Sequence, residues 1–560
     1  MRTILCALLL LLGVHRASAQ WVTESYPLLS GWNGIWVSQD CSHVTIDDLL
    51  AGQSQIQEVW LWNPVGGAVQ FSVSPTVPLA SDVAWQVWRR GKPAETTLTR
   101  MLGGAAYLVK ITGSAFTLQL TGRPVPPRYS LMSSGQNLVG FHVLTPDSSS
   151  LRNIEKFFSY DAALKVNPPV FAYRGGALSN VTPKNPTQLT TPRTTSISRG
   201  KAYWVNTTDQ TRYYGPVEVT VLGSTLDFGS TLSAVTVRLR NAIDPARNLP
   251  VTATLAPAAS ATPPTGQPAI AGIVPLLVRG PRDAQTLDFT YTPLGAGLSR
   301  TLAPGEQTEV TLAVDRATMG SATGAVFQSL LQVTDSLALT RIDLGVRAEV
   351  PSFTGIWIGS AVVTKVDQTI GQSTVADTAA PSNFPIRLIL HRTDAGSVKV
   401  LQQVYVGAIN GTPIASATEA VVTGSATGKV ARFSTASFPS GNVWAGTGGI
   451  GLSGTLTFNV PLGYNAPTNP FVHNYHPDHD NLDARFETLL PAGVESPNIT
   501  RAVTLTFTPT LPGVTDTGIG STTLGGTYRE TITGLRATPV SVSGAFVLRR
   551  IASVPFLLTP

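Results

Sequence analysis

The sequence is poor in cysteine and in charged residues. Two cysteines occur in 560 residues, and because Cys6 lies in an apolar leader, Cys41 stands alone and no intramolecular disulfide is expected. Charged residues make up 13% of the chain and methionine occurs four times. This composition disfavours a mostly helical protein, since long charged side chains usually fill helix surfaces. It also disfavours intrinsic disorder, because 42% of the residues are hydrophobic.

The chain also lacks long apolar runs after its leader, and it has no large excess of either charge. No later segment reaches the roughly 18 apolar residues that a membrane-spanning helix needs. The 39 basic and 33 acidic residues give a net charge of +6. For this length, that value is too small to indicate binding to nucleic acid or to an anionic membrane. We therefore expect neither a transmembrane helix nor a nucleic-acid partner.

The first 19 residues have the pattern of a secretory signal peptide. Arg2 precedes an apolar run from Ile4 to Val14, and the small residues at 17–19 form a cleavage site before Gln20. We expect the mature protein to be secreted or displayed at the cell surface. An exported chain of this size without disulfides is more typical of bacteria than of disulfide-rich eukaryotic modules.

Glycine and proline are abundant, with 51 and 41 copies, which indicates strands joined by turns. Two similar stretches follow the leader. SGWNGIWV at 30–37 corresponds to SGQNLVGFHV at 134–143, and each precedes a short predicted helix, one starting at Thr45 and the other at Ser149. Each stretch closes with a G-x-x-Y-x-V phrase, at 104–109 and at 200–205. These repeats predict two related β-rich modules, at 20–126 and 127–221.

This pattern resembles a β-rich module of multidomain exported bacterial surface proteins. The resemblance covers roughly residues 26 to 221, and it implies location rather than activity. After it, alternating strands at 222–351 look like a bacterial immunoglobulin-like sandwich. Residues 352–560 begin with a G-x-W strand and end with a G-x-F-x-L strand, which predicts a C-terminal antiparallel β-barrel or curved sandwich. The fold class is therefore mostly β.

Tryptophans are concentrated in the two modules and allow two interpretations. Exposed indoles stack on sugars or anchor protein partners, and Trp36, Trp62 and Trp88 are the candidate binding residues. Alternation in the strands around Trp60 and Trp85 equally predicts rings that pack on one face of each strand, in the core.

One segment concentrates groups that bind metals. Neutral imidazoles and carboxylates bind zinc, and carboxylates alone suit calcium. The candidate ligands are His473, His476, Asp478, His479, Asp480 and Asp483. The stretch resembles the H-x-H-x-D-H motif of metallo-β-lactamase-fold hydrolases, with Asn474 in place of the first histidine. A structural loop, a metal-stabilised loop and a catalytic metal site all stay open.

Other catalytic patterns are weak. The stretch Cys41-Ser42-His43 brings a thiol close to an imidazole in sequence, but a buried or semi-buried free thiol is favoured over a nucleophile. Three hypotheses follow. The first is an exported, non-enzymatic protein that acts in adhesion or binds carbohydrate or a surface protein. The second is a metal-dependent hydrolase that uses zinc or calcium at 473–483. The third is a purely architectural component of the cell envelope or matrix.

Overall fold

The structure is a computed structural model. It describes residues 20–62, 85–133, 135–144, 153–164, 169–285, 287–320, 322–370, 373–435, 437, 443–463, 466, 469, 498–511, 516–534 and 538–559. The described chain is mostly β, with seven sheets and three short α-helices. The mostly-β prediction is confirmed. Within these residues, none of the helices has the length and apolar character needed to cross a membrane.

The first region consists of two sheets and one short helix. Sheet β1-β7-β3 lies beside sheet β2-β6-β4-β5, and a buried apolar cluster that includes Ile46 of the helix packs between them. The Thr45 side chain caps this helix by accepting a hydrogen bond from the Asp48 amide. The elements are β1 Val22–Leu28, β2 Gly31–Val37, β3 Gln39–Asp40, α1 Ile46–Leu49, β4 Ile56–Trp62, β5 Trp85–Arg89, β6 Ala105–Ile111 and β7 Phe116–Pro124.

The second region has one four-stranded sheet, in the order β10-β9-β11-β8. Its helix begins after an Asn153 cap, four residues later than the predicted start at Ser149, which lies outside the described residues. Asparagine takes over the capping role because its side-chain oxygen accepts from the Lys156 amide. The elements are β8 Asn137–Val139, α2 Ile154–Phe158, β9 Val170–Ala172, β10 Thr187–Gln188 and β11 Tyr203–Val205.

Matching polar contacts recur in these two regions. The Asn33 amide group donates to the carbonyls of Leu29 and Gly31, while its oxygen accepts from the Leu29 amide. Asn137 makes the same kinds of contact with Met132, five residues earlier, and with Gly135, two residues earlier. Each asparagine also pairs across its sheet with the valine that ends a G-x-x-Y-x-V phrase.

The third region consists of two five-stranded sheets that bury their facing side chains in one core. Their orders are β12-β14-β19-β16-β17 and β13-β21-β20-β15-β18. All pairs are antiparallel except the pair of β13 with β21. The strands are β12 Val217–Val221, β13 Thr225–Asp227, β14 Ala234–Asn241, β15 Val251–Ala259, β16 Leu276–Arg282, β17 Phe289–Pro293, β18 Leu298–Leu302, β19 Gln307–Val314, β20 Val326–Asp335 and β21 Arg341–Glu349.

The last region is a closed antiparallel barrel of eight strands, in the order β22-β23-β24-β28-β29-β30-β31-β32. Alternating apolar residues fill its interior, as in β29, where every second side chain from Leu456 onward is buried. The elements are β22 Gly355–Ile370, β23 Ser373–Arg392, β24 Val398–Leu401, β25 Gln403–Ile409, β26 Thr412–Ser416, α3 Glu419–Thr423, β27 Ala431–Ser434, β28 Val443–Gly448, β29 Gly454–Leu462, β30 Ile499–Phe507, β31 Thr523–Thr533 and β32 Val540–Ala552. Strands β25, β26 and β27 form a small separate sheet.

A buried guanidinium joins the first three regions. Arg199 of the second region donates to Glu24 of the first region at 2.7 Å and to Asp343 of the third region at 3.1 Å. It also donates to the carbonyls of Val143 and Arg341. The Arg199 side chain is only 6% exposed. Removing the guanidinium would leave the carboxylates of Glu24 and Asp343 largely buried and without this partner. The loss would lower the free energy of unfolding.

We expect Arg199→Met to lower the free energy of unfolding by about 3 kcal/mol, the lower end of the range for a broken buried ion pair. The lower end applies because Arg341 remains within 4 Å of both acids. Urea denaturation measures the change. Arg193→Met is the matched control: Arg193 pairs with Glu155 on the surface, and its loss should cost less than about 1 kcal/mol. Equal unfolding midpoints for Arg199→Met and the wild type would contradict this account.

Candidate functional site

The predicted metal ligands His473, His476, Asp478, His479, Asp480 and Asp483 lie outside the described residues. The strands on either side are described: Leu462 at the end of β29 pairs with Ile499 at the start of β30. These two flanking residues are therefore neighbours in the barrel. Among the residues that the structure covers, no group of three histidine, cysteine, aspartate or glutamate side chains could hold a metal ion. The metal hypothesis stays a prediction.

The three candidate binding tryptophans lie at different depths. Trp36 and Trp88 are buried, with 6% and 1% exposure. The Trp88 indole donates to Asp47 at the start of α1. Trp62 is partly buried, and its ring centroid lies 4.9 Å from that of Trp85 and 5.2 Å from that of Trp204. In this conformation Trp36 and Trp88 serve packing, and a ligand-binding role for these residues stays a prediction.

The tryptophan rings form a layer between the first two regions. Trp32, Trp60 and Trp85 lie on one face of sheet β2-β6-β4-β5 and contact one another edge to face. Strand β2 also pairs through its backbone with the second region: the Trp36 amide donates to the carbonyl of Gly200 at 2.9 Å. The approach is so close that a Cβ atom on Gly140 would lie 2.1 Å from the Trp36 Cβ. These rings hold two sheets together.

Cys41 and His43 do not form a nucleophile and base pair. Burial raises the pKa of the Cys41 thiol to about 12, so it stays protonated at neutral pH. Its sulfur lies 3.8 Å from the carbonyl oxygen of Gln39. The His43 ring instead contacts the Trp21 ring edge to face, at 4.8 Å between centroids, and burial lowers its pKa. The sequence-based preference for a buried thiol agrees with this geometry.

A cleft of about 320 Å³ lies between the third region and the barrel. One wall comes from the outer face of β16 and β17, including Leu277 and Tyr291, and from residues 314–318. The other wall comes from barrel residues at 509–511 and 516–519. Clefts between domains are frequent ligand sites, because two walls can contact a ligand at once.

A strip of aromatic and arginine side chains extends from this cleft along the β16–β17 hairpin. Tyr291 pairs with Arg279, so their side chains share the face that borders the cleft. The Arg279 guanidinium lies 4.4 Å from the centroid of the Phe289 ring, and that of Arg282 lies 4.8 Å from it. Among the described residues, the ion pairs of this sheet join Arg238 to Glu309 and Arg240 to Glu218, and they do not include Arg279 or Arg282. Stacking on one ring restricts both side chains while their N–H donors remain available.

Two charged groups on the inner walls of the cleft hydrogen-bond to other parts of the protein. The buried Arg316 guanidinium donates to the carbonyls of Phe228, Gly229, Leu232 and Glu349. Burial lowers the pKa of Arg316 to about 10, which leaves it charged at neutral pH. Asp516 accepts from the Gly518 amide, the Thr523 hydroxyl and the Arg549 guanidinium. These groups are buried or paired within the fold, whereas the guanidinium groups of Arg279 and Arg282 are exposed and can donate to a ligand.

The sequence reading missed this strip. Phe289 and Tyr291 fall within the alternating strands predicted at 222–351, and the two arginines lie on a different strand. Aromatic residues two positions apart were the available signal, because they share one face of a strand. The pairing of β16 with β17, which creates the strip, depends on a hairpin register that includes a bulge between Arg279 and Arg282.

The comparisons with known proteins give no family for this chain. No family model matches it, and no curated protein matches it. A Bacteroides ovatus protein of unknown function shares 8% identity with a TM-score of 0.16, covering 60% of this chain and 95% of that one. A DUF4466 family protein from Parabacteroides merdae shares 8% identity with a TM-score of 0.15, covering 60% of this chain and 98% of that one. The VesB protease of Vibrio cholerae shares 10% identity with a TM-score of 0.14, covering 58% of this chain and 99% of that one. TM-scores this low support no argument about fold or activity.

A buried histidine should make the protein acid-sensitive. Burial, with a smaller effect from Arg199, lowers the pKa of His142 to about 3. Between about pH 3 and the ordinary histidine pKa near 6.5, the unfolded chain binds a proton that the folded chain does not, so stability falls as pH falls. Over that window the wild type should lose about 1.4 kcal/mol more per pH unit than His142→Gln in urea denaturation. Parallel pH profiles for the two proteins would contradict this.

The metal hypothesis predicts a heat of binding in calorimetry when zinc or calcium is titrated into the purified protein. His476→Ala should abolish the heat of zinc binding, because imidazole is the zinc ligand expected there. His43→Ala is the control, since the His43 ring packs against Trp21 and should leave binding unchanged. If neither ion binds, or if His476→Ala binds like the wild type, the hypothesis is to be abandoned.

Proposed function

We propose that this chain is an exported, non-enzymatic binding protein of the cell surface or extracellular space. Its ligand is an acidic polysaccharide, bound at the strip Arg279, Arg282, Phe289 and Tyr291 and in the adjoining cleft. The observation that carries the proposal is the pair of arginines stacked on Phe289, beside Tyr291 at the mouth of the cleft.

The chemistry of the strip matches a sugar that bears carboxylate or sulfate groups. A tyrosine ring offers an apolar face to the C–H groups of a sugar and a hydroxyl to its polar edge. Arginine donates paired hydrogen bonds to carboxylate and sulfate oxygens. Asp283 and Asp288 at the hairpin end make the site mixed in charge. We therefore infer recognition of single acidic groups on a sugar chain rather than of a dense polyanion.

The architecture supports the view that the chain is a scaffold for recognition. The recurring contacts of Asn33 and Asn137, and the shared strand order of their sheets, support a duplication of one module at 20–126 and 127–221. The two facing five-stranded sheets support an immunoglobulin-like sandwich at 222–351. Such sheets hold loops and hairpins in fixed positions, where ligands are usually bound.

Binding can be tested on an array of uronic-acid, sulfated and neutral polysaccharides. We expect the wild type to bind acidic members, more weakly as salt rises. Tyr291→Ala and Arg279→Gln should each weaken binding about tenfold or more, a loss of at least about 1.4 kcal/mol. Arg300→Gln is the matched control, because Arg300 is an exposed arginine on β18 of the opposite sheet.

Other array results would support other functions. Binding that survives Tyr291→Ala and Arg279→Gln but is lost in Trp62→Ala would move the site to the tryptophan layer. A lack of binding to any polysaccharide would favour the architectural role, for which the Arg199 ion network between three regions is the supporting observation. Chelator-sensitive hydrolysis of a substrate would support the metal-dependent hydrolase instead.

A further inference from the structure

The residue that follows the predicted signal cleavage site is a buried glutamine. Gln20 is 1% exposed, and the next residue, Trp21, is fully buried. The Trp21 amide donates to the Ser260 hydroxyl at 2.9 Å, and its carbonyl accepts from the Ala261 amide at 2.8 Å. Cleavage before Gln20 would therefore place the new N-terminus at a residue packed between the first and third regions.

The Gln20 side chain is poorly satisfied in this position. Its Oε1 lies so close to β21 that a Cβ atom on Gly345 would be 2.9 Å from it. Its Nε2 is buried without a hydrogen-bond partner. A buried amide N–H without a partner costs about 1 to 3 kcal/mol. An α-ammonium group next to it would add a charge that is costlier still to remove from water.

We propose that Gln20 cyclises to pyroglutamate after the leader is removed, an inference that rests on the export in the proposed function. The α-amine of Gln20 attacks its own side-chain Cδ. The new bond joins the backbone nitrogen to Cδ, and the bond from Cδ to Nε2 breaks. The Nε2 nitrogen leaves as ammonia, which takes the displaced proton. No oxidant, reductant or other reactant is consumed.

The product suits the buried position better than free glutamine does. The lactam carries no charge, so the penalty for burying an ammonium group disappears. It also lacks Nε2, the side-chain donor that has no partner. The reaction closes a five-membered ring within one residue, where proximity strongly favours attack. It takes place in the newly cleaved chain, before Trp21 docks against Ser260 and Ala261.

Mass spectrometry of the exported protein tests the proposal. The full chain is expressed with its leader in an exporting bacterial host, and the mature protein is collected. Free amines are dimethylated in denaturant before digestion, so that cyclisation during later handling is not counted. We expect an N-terminal peptide that begins at Gln20, is lighter by the mass of one ammonia molecule, and carries no label on its α-nitrogen.

Two controls make the outcome specific. Gln20→Asn has a side chain one carbon shorter and cannot form the five-membered lactam, so its N-terminal amine should be fully labelled. A wild-type peptide that starts at Gln20 with a labelled amine would overturn the cyclisation while leaving export intact. A retained leader, or an N-terminus at another residue, would overturn the cleavage on which the proposal rests.

Discussion

Buried arginine side chains at the joints between regions fix how the sheets of this chain are arranged. Arg199 reaches Glu24, Asp343 and two carbonyl groups, and so connects three regions. The two Nη groups of Arg316 donate to four carbonyls of the third region, and Gly520 of the last region lies close to the Arg316 Cβ. Buried ion pairs add little net stability compared with apolar packing, but a mispaired arrangement would leave charges unsatisfied. These arginines therefore restrict which relative orientations of the sheets are tolerable.

Apolar packing in the tryptophan layer also restricts how the sheets of the first two regions are oriented. Indole rings on strands β2, β4 and β5 fill the space against the second region, where Trp204 contributes from β11. Large rings bury much apolar area for each residue, which suits a joint between two small sheets. With these rings used for packing, we infer that the partly exposed aromatic residues beside the cleft serve recognition. The tryptophan layer and the proposed binding strip are separate parts of the molecule.

The sequence predicted the fold class because its signals are local. Alternation, turn residues and the G-x-N and G-x-x-Y-x-V phrases report on single strands, and the closed barrel matches the expectation for the C-terminal region. The candidate site was not predictable in the same way. Arg279 and Tyr291 meet only through hairpin register, and the cleft needs barrel residues more than 200 positions away. Such contacts leave no local pattern. For the tryptophans, strand alternation could not decide whether the shared face meets solvent or a second sheet.

The central claim is that an acidic sugar chain binds where the hairpin and the barrel meet. A crystal structure of the protein with a uronic-acid oligosaccharide tests it most directly. The account predicts a sugar ring on Tyr291, a sugar carboxylate within hydrogen-bond distance of the Arg279 or Arg282 guanidinium, and contact with the barrel wall at 509–511. An oligosaccharide bound at the tryptophan layer or elsewhere, with the cleft empty, would contradict it.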